Sequence, residues 1–221
     1  MSTLHETHAR VMLTLQSRMN DKVDSQWLEK KFPYLRAVVI EAAEAIEHHG
    51  WKWWKKQDRD LPQLQMEIID IWHFILSDIL LRTEGNHQLA VEFLSAANEQ
   101  GTSTYKVNFD KHDYVLESMS LLGKLELLIG ISTARRLELL LFRSIMLDCD
   151  LSWNSLYKQY VSKNVLNMFR QEHGYKEGFY QKLWQGREDN EHLVELMDCL
   201  DTESAEYPEL LYQGLLSRYP G

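Results

Sequence analysis

Two helix-spaced pairs of acids stand inside runs of apolar residues, and few folds can accommodate them. Val38-Val39-Ile40-Glu41-Ala42-Ala43-Glu44-Ala45-Ile46 and Met66-Glu67-Ile68-Ile69-Asp70-Ile71-Trp72-His73-Phe74-Ile75-Leu76 each place two carboxylates three residues apart. Three residues is close to one helical turn, so Glu41 and Glu44 share one face of their helix, and Glu67 and Asp70 one face of theirs. The surrounding Val, Ile, Ala and Trp put those faces in or beside a packed interior. A buried carboxylate without a partner costs several kcal/mol, and neither helix carries a Lys or Arg on the same face. A cation is the natural counterweight. The connection from Gly50 to Leu61 is short enough to make the helices antiparallel neighbours, which gathers the four carboxylates. All-oxygen donors select Mg²⁺, with Mn²⁺ able to take its place. A di-iron bundle would require two Glu-x-x-His motifs, and the nearest match is the single Asp70-x-x-His73. Glu47 continues the spacing from Glu44 and reads as an ordinary solvated acid.

The rest of the chain reads as helix. Only four prolines (Pro33, Pro62, Pro208, Pro220) and ten glycines punctuate 221 residues, and apolar residues recur at spacings of three and four. Helices are expected over about His5–Met19, Leu35–His49, Pro62–Arg82, His87–Asn98, Tyr114–Leu128, Ala134–Cys149, Ser152–Glu172, Asp189–Leu200 and Tyr207–Leu216. Gly50 marks a helix end, and Pro62 a first turn where its missing N–H costs nothing. A short Trp27-Leu28 segment leads to Pro33. The polar stretch Glu99–Asp113 is the expected flexible connection. No period-two strand pattern and no internal repeat is visible. The expectation is an all-α fold: one compact multi-helix domain over residues 1–221 with a four-helix metal-binding core.

The formal net charge is −9, which argues against a grip on a nucleic-acid polymer. Cys149 and Cys199 have no zinc-site spacing, and the first ten residues carry His, Glu and Arg in place of an apolar leader. No segment approaches eighteen uninterrupted apolar residues, so no membrane association is expected. A reduced, cytoplasmic protein is the expected setting.

About ninety residues after the second acidic pair comes Tyr160-Val161-Ser162-Lys163-Asn164-Val165-Leu166-Asn167-Met168-Phe169-Arg170. Gly174-Tyr175-Lys176-Glu177-Gly178-Phe179-Tyr180-Gln181-Lys182 and Gly186-Arg187-Glu188-Asp189-Asn190 follow, and Leu15-Gln16-Ser17-Arg18-Met19-Asn20-Asp21 stands at the front. Lys163, Asn167 and Arg170 are spaced by four and three, so one helix face presents two cations and an amide. Together with the acidic pairs, these blocks strongly resemble the dimeric dUTPase family of the all-α nucleoside triphosphate pyrophosphatases, from about residue 15 to residue 190.

The resemblance implies Mg²⁺-dependent hydrolysis of dUTP to dUMP and pyrophosphate, with attack at the β-phosphorus, activity on dUDP as well, and a homodimer that keeps uracil out of DNA. By position it makes Glu41, Glu44, Glu67 and Asp70 the metal ligands, with Glu41, or alternatively Glu44, taking the proton of the attacking water. It places Gln16, Asn20, Trp54, His73 and Phe74 around the nucleoside, and Lys163, Asn167, Arg170, Tyr175, Lys182 and Asn190 on the phosphates. The stretch from Gly85 to about Asp150 matches none of these blocks; it is expected to form helices that close over the substrate or pack in the dimer. Turnover of dCTP, a broader nucleotide pyrophosphatase, and a non-enzymatic helical scaffold with a structural cation are the alternatives.

Overall fold

A computed structural model describes residues 4–99, 106–202, 204 and 206–220. Among them are ten α-helices: α1 (Glu6–Val23), α2 (Trp27–Lys30), α3 (Tyr34–His49), α4 (Leu61–Arg82), α5 (His87–Glu99), α6 (Leu121–Thr133), α7 (Leu139–Asp148), α8 (Trp153–Glu172), α9 (Asp189–Cys199) and α10 (Tyr207–Arg218). Two small antiparallel hairpins complete the fold: β1 (Lys106–Phe109) with β2 (His112–Val115), and β3 (Leu183–Trp184) with β4 (Arg187–Glu188). The fold is all-α. None of the described helices is long and apolar enough to cross a membrane.

α4 is the central element. Ile68, Ile69, Ile71, Trp72, Ile75, Leu76, Ile79 and Leu80 lose all contact with solvent, a run that covers about half of the helix circumference. α1, α3, α5 and α8 pack against it. α3 presents Val38, Ala42 and Ala45, spaced by four and three, and the two alanines allow close approach. His48 lies beside both Asp60 and Glu67, while Glu41 lies beside Asp70, so residue numbers run in opposite directions along the pair. α3 and α4 are therefore antiparallel. Their connection is closed by Asp60 N–H donating to the His48 carbonyl at 2.9 Å. At its start Gly50 takes φ 86°, where a Cβ would also meet Gln57 Cβ at 3.0 Å. Asp60 then caps α4 by accepting from Gln63 N–H at 3.2 Å, and Pro62 sits in the first turn.

The segment from 106 to 138 departs from the expected helices. β1 and β2 turn through Asp110 and Lys111, both at positive φ (49° and 62°), a two-residue turn of the hairpin-favouring kind built without glycine. Val107 is buried and the outward neighbours are polar, but four residues are too few to outweigh a helical reading. α6 begins only at Leu121, where Ser120 caps it by accepting from Gly123 N–H at 3.2 Å. Arg135, at φ 61°, ends it, so α7 starts later than the sequence suggests. α6 packs along α3 and buries Leu125, Leu128 and Ile131 in the common core. The expected connection Glu99–Asp113 is resolved into the end of α5 and this hairpin; its residues 100–105 lie outside the described ones.

Trp72 anchors the centre. It stacks on Phe142 at 4.9 Å between ring centroids, lies 5.4 Å from Trp153, and donates its indole N–H to Met12 Sδ at 3.3 Å. Four helices thus meet on one side chain. Trp72→Ala is expected to lower the unfolding free energy by about 3–5 kcal/mol, read as a shifted denaturant midpoint at unchanged slope.

Candidate active site

The acids converge where α3 crosses the middle of α4. One carboxylate oxygen from each of Glu41, Glu67 and Asp70 lies within 4.8 Å of the others. Glu67 is buried, and Glu41 and Asp70 are half-buried. Glu44 is exposed on the rim and stands outside this group of three, although its charge acts on all of them. Ala42 and Ala45 belong to the buried stripe of α3; Glu41 lies beside that stripe around the helix, and Glu44 lies farther from it, toward solvent. One counter-charge comes from another helix: Lys163 of α8 donates to Asp70 Oδ2. From α3 itself, His48 Nε2 lies 3.6 Å from Glu67 Oε1.

The electrostatics follow from desolvation. Burial first, then the neighbouring acids, push the Glu41 carboxyl up to about 7, and it donates its retained proton to Glu67. Burial also raises Glu67, with Asp70 adding to the effect. Asp70 is raised mainly by burial, against the pull of the Lys163 ammonium. Three partly desolvated carboxylates with too little positive charge around them suit a hard divalent cation.

Beside the acids lies a cavity of about 350 Å³ whose wall includes Asp70, Gln16, Asn20, His73, Phe74 and Asn167. A hydrogen-bonded network stands behind it. Gln16 Nε2 donates to Asn20 Oδ1 at 3.0 Å and to Ser77 Oγ at 2.9 Å, which leaves Gln16 Oε1 to accept from Tyr160 Oη at 2.9 Å and from His73 Nδ1 at 2.9 Å. Burial holds the His73 imidazolium pKa down at about 3, so the ring is neutral. With its proton on Nδ1, His73 keeps Nε2 as an acceptor, and Asn20 keeps Nδ2 as a donor; both residues line the cavity. Both atoms are buried without a partner, which in a folded protein marks a place for a ligand or ordered water.

Residues 8–175 match the family model described as dUTPase. The chain belongs to the dimeric, all-α dUTPase family. It is accordingly an enzyme that hydrolyses dUTP, a dUTP diphosphatase. Among curated proteins, none matches the chain.

In this dUTPase-family chain the matched span stops short of Lys182 and Asn190, which the structure itself locates. Lys163, Asn167, Arg170 and Asn190 line a second cavity of about 640 Å³, and Asn167 belongs to both cavities. Arg170 is held by a bidentate pair to buried Asp189, at 2.8 and 2.9 Å, and Tyr180 donates to the same carboxylate at 2.8 Å. Burial alone would raise the Asp189 carboxyl; Arg170 and Tyr180 outweigh it and hold the group below its ordinary value. Lys182 is exposed, with Glu188 at 3.6 Å, and Tyr175 is 51% exposed. Neither lines the two cavities. Trp54 is 60% exposed, packed edge-on against Trp51 and Trp53, and it too stands away from the cavity walls.

The sequence reading overlooked Trp27, Phe32 and Tyr34, which supply an aromatic side of the first cavity. Three aromatics within eight positions around Pro33 were the available signal. Asp189 was overlooked although it adjoins Asn190. Ser77 carried no signal at all.

A pH dependence follows from the raised acids. Each binds its proton more tightly folded than unfolded, so without a divalent cation the stability they contribute is fully present below their ordinary range and is lost as pH rises through about 7, the Glu41 value. In a chelator the melting temperature is expected to fall as pH is raised from about 5.5 to about 7.5. Glu41→Gln flattens that slope, and added Mg²⁺ or Mn²⁺ restores the melting temperature most at the upper end.

Proposed function

We propose that the chain hydrolyses dUTP to dUMP and pyrophosphate with the help of divalent cations, acts on dUDP as well, and so keeps uracil out of DNA. One observation carries this reading. Asp70 and Asn167 stand in the wall of the cavity lined by Asn20 and His73, each of which has a buried polar atom without a partner, and Asn167 continues into the cavity lined by Lys163 and Arg170. A base pocket, the acidic Asp70 and a basic face thus adjoin one another through Asn167, the order in which a nucleoside triphosphate presents base and phosphates.

The roles follow in order. His73 Nε2 accepts from the N3–H of uracil and Asn20 Nδ2 donates to a ring carbonyl oxygen, with Phe74 and the aromatic side of the pocket against the base. Glu41, Glu67 and Asp70, with Glu44 at the rim, would hold Mg²⁺, for which Mn²⁺ can substitute. Such a cation supplies positive charge to phosphate oxygens and makes water more acidic. Glu41, one of the three clustered acids, is the candidate to take the proton of the attacking water. Glu44, being exposed, is the second candidate for that proton. Lys163 and Arg170 stabilise charge on the phosphates that become pyrophosphate, and Asn167 and Asn190 orient them. Tyr175 and Lys182 remain proposed phosphate contacts on the exposed arm, and Trp54 a proposed wall of the base site.

The family's dimer is proposed for this chain, as is a cytoplasmic setting, with residues 1–221 acting as one domain. A monomeric mass in solution would count against the dimer.

The deciding experiment is turnover of dUTP, dCTP, UTP and dTTP with and without Mg²⁺. dUTP with Mg²⁺ is expected to be turned over fastest, and Glu44→Gln to lower that rate by about 10²-fold or more. Undiminished activity in Glu44→Gln would remove its role at the cation. Hydrolysis in heavy-oxygen water is expected to label pyrophosphate; label in dUMP would contradict attack at the β-phosphorus.

A further inference from the structure

The groups behind the base pocket form a chain of hydrogen bonds that can run in either of two directions. In the arrangement described, Gln16 Oε1 accepts from Tyr160 and His73, while Gln16 Nε2 donates to Asn20 Oδ1 and Ser77. Turning both amides over and moving the imidazole proton to Nε2 reverses each bond without displacing the chain. Gln16 Nε2 then donates to Tyr160 Oη and His73 Nδ1. Asn20 Nδ2 donates to Gln16 Oε1, and the Ser77 hydroxyl, which in the first direction accepts from Gln16 Nε2 and donates to Asn20 Oδ1, instead donates to Gln16 and accepts from Asn20. The two atoms left at the cavity exchange character: His73 becomes a donor, and Asn20 presents its oxygen. The first direction complements the N3–H and carbonyl oxygen of uracil. The second complements the N3 lone pair and 4-amino group of cytosine.

The bias between them comes from Tyr160. Its single proton can go to Gln16 Oε1 at 2.9 Å or to the Met12 carbonyl at 3.0 Å. The second direction demands that it go to Met12, so that the phenolic oxygen can accept from Gln16. One neighbour opposes this: Asn164 Nδ2 already donates to the phenolic oxygen at 3.4 Å and competes with Gln16 for it. Tyr160 and Asn164 are fully buried and neither is among the residues that line the cavity.

We infer that Tyr160, backed by Asn164, is the specificity-determining positioning residue of this site: it fixes the polarity of the Gln16 amide and thereby makes the pocket a reader of uracil in place of cytosine. The inference rests on the proposed base pocket. A site built to hydrogen-bond one pattern rejects the opposite pattern strongly only while its own groups cannot turn over.

The test is kcat/KM for dUTP and dCTP with Mg²⁺ on the full chain. Tyr160→Phe removes the biasing proton and is expected to lower the dUTP-to-dCTP ratio by about tenfold or more, through a rise for dCTP with a lower KM. Asn164→Leu frees the phenolic lone pair and shifts the ratio the same way, which keeps the test available if Tyr160→Phe does not fold. Ser77→Ala removes a hydroxyl that serves both directions alike and moves the two nucleotides together. An unchanged ratio in the folded Tyr160 or Asn164 variant, or an equal change in Ser77→Ala, would overturn the role of Tyr160. Absence of dUTP turnover in the wild type would instead overturn the base-pocket reading on which that role depends.

Discussion

The mutual repulsion of Glu41, Glu67 and Asp70 is the constraint to which the rest of the structure answers. Folding α3 against α4 buries an apolar seam, and that same packing forces three carboxylates into one partly dry space. The helix pair cannot have the one without the other. Protonation of Glu41 and the Lys163 ammonium relieve part of the repulsion, and both are devices that a divalent cation would make unnecessary. The net charge of −9 is thereby divided: some acids face solvent, and three are held where added positive charge is stabilising.

Around this centre the fold is arranged in order of polarity. α1, α4 and α8 carry the amide, imidazole and hydroxyl groups of the base pocket, and each is packed tightly enough that the orientation of a single amide has consequences. The basic arm is fixed differently. Phe169 and Trp184 form an aromatic cluster under the β3–β4 hairpin, with ring centroids 5.7 Å apart, and Asp189 at the start of α9 holds Arg170 in place. A cation that must meet phosphate is thus preorganised by a buried acid, while Lys182 and Tyr175 are left to solvent.

Much of the fold was legible because its signals are local. Pro62, Gly50 and the period of Val38, Ala42 and Ala45 each report on one turn of helix, and the structure follows them. The β1–β2 hairpin was not legible, because Asp110 and Lys111 adopt left-handed conformations without the glycine that normally announces such a turn. In the site, the spacing of the acids identified the pairs but gave them equal standing. Glu44 falls to the rim because it lies farther than Glu41 from the buried stripe of Val38, Ala42 and Ala45 around α3.

The sequence by itself determined the helices, the two acidic faces, the face bearing Lys163, Asn167 and Arg170, and the family. All of these depend on residues within a turn or two of each other, or on their order along the chain. Only the tertiary structure decided which carboxylates meet, that Lys163 pairs with Asp70, and that Ser77 and Tyr160 orient Gln16. Gln16 and Tyr160 are 144 residues apart, and their hydrogen bond is set by how α1, α4 and α8 pack on one another. No pattern along the chain encodes such a contact, because its cause is the shape of the shared core.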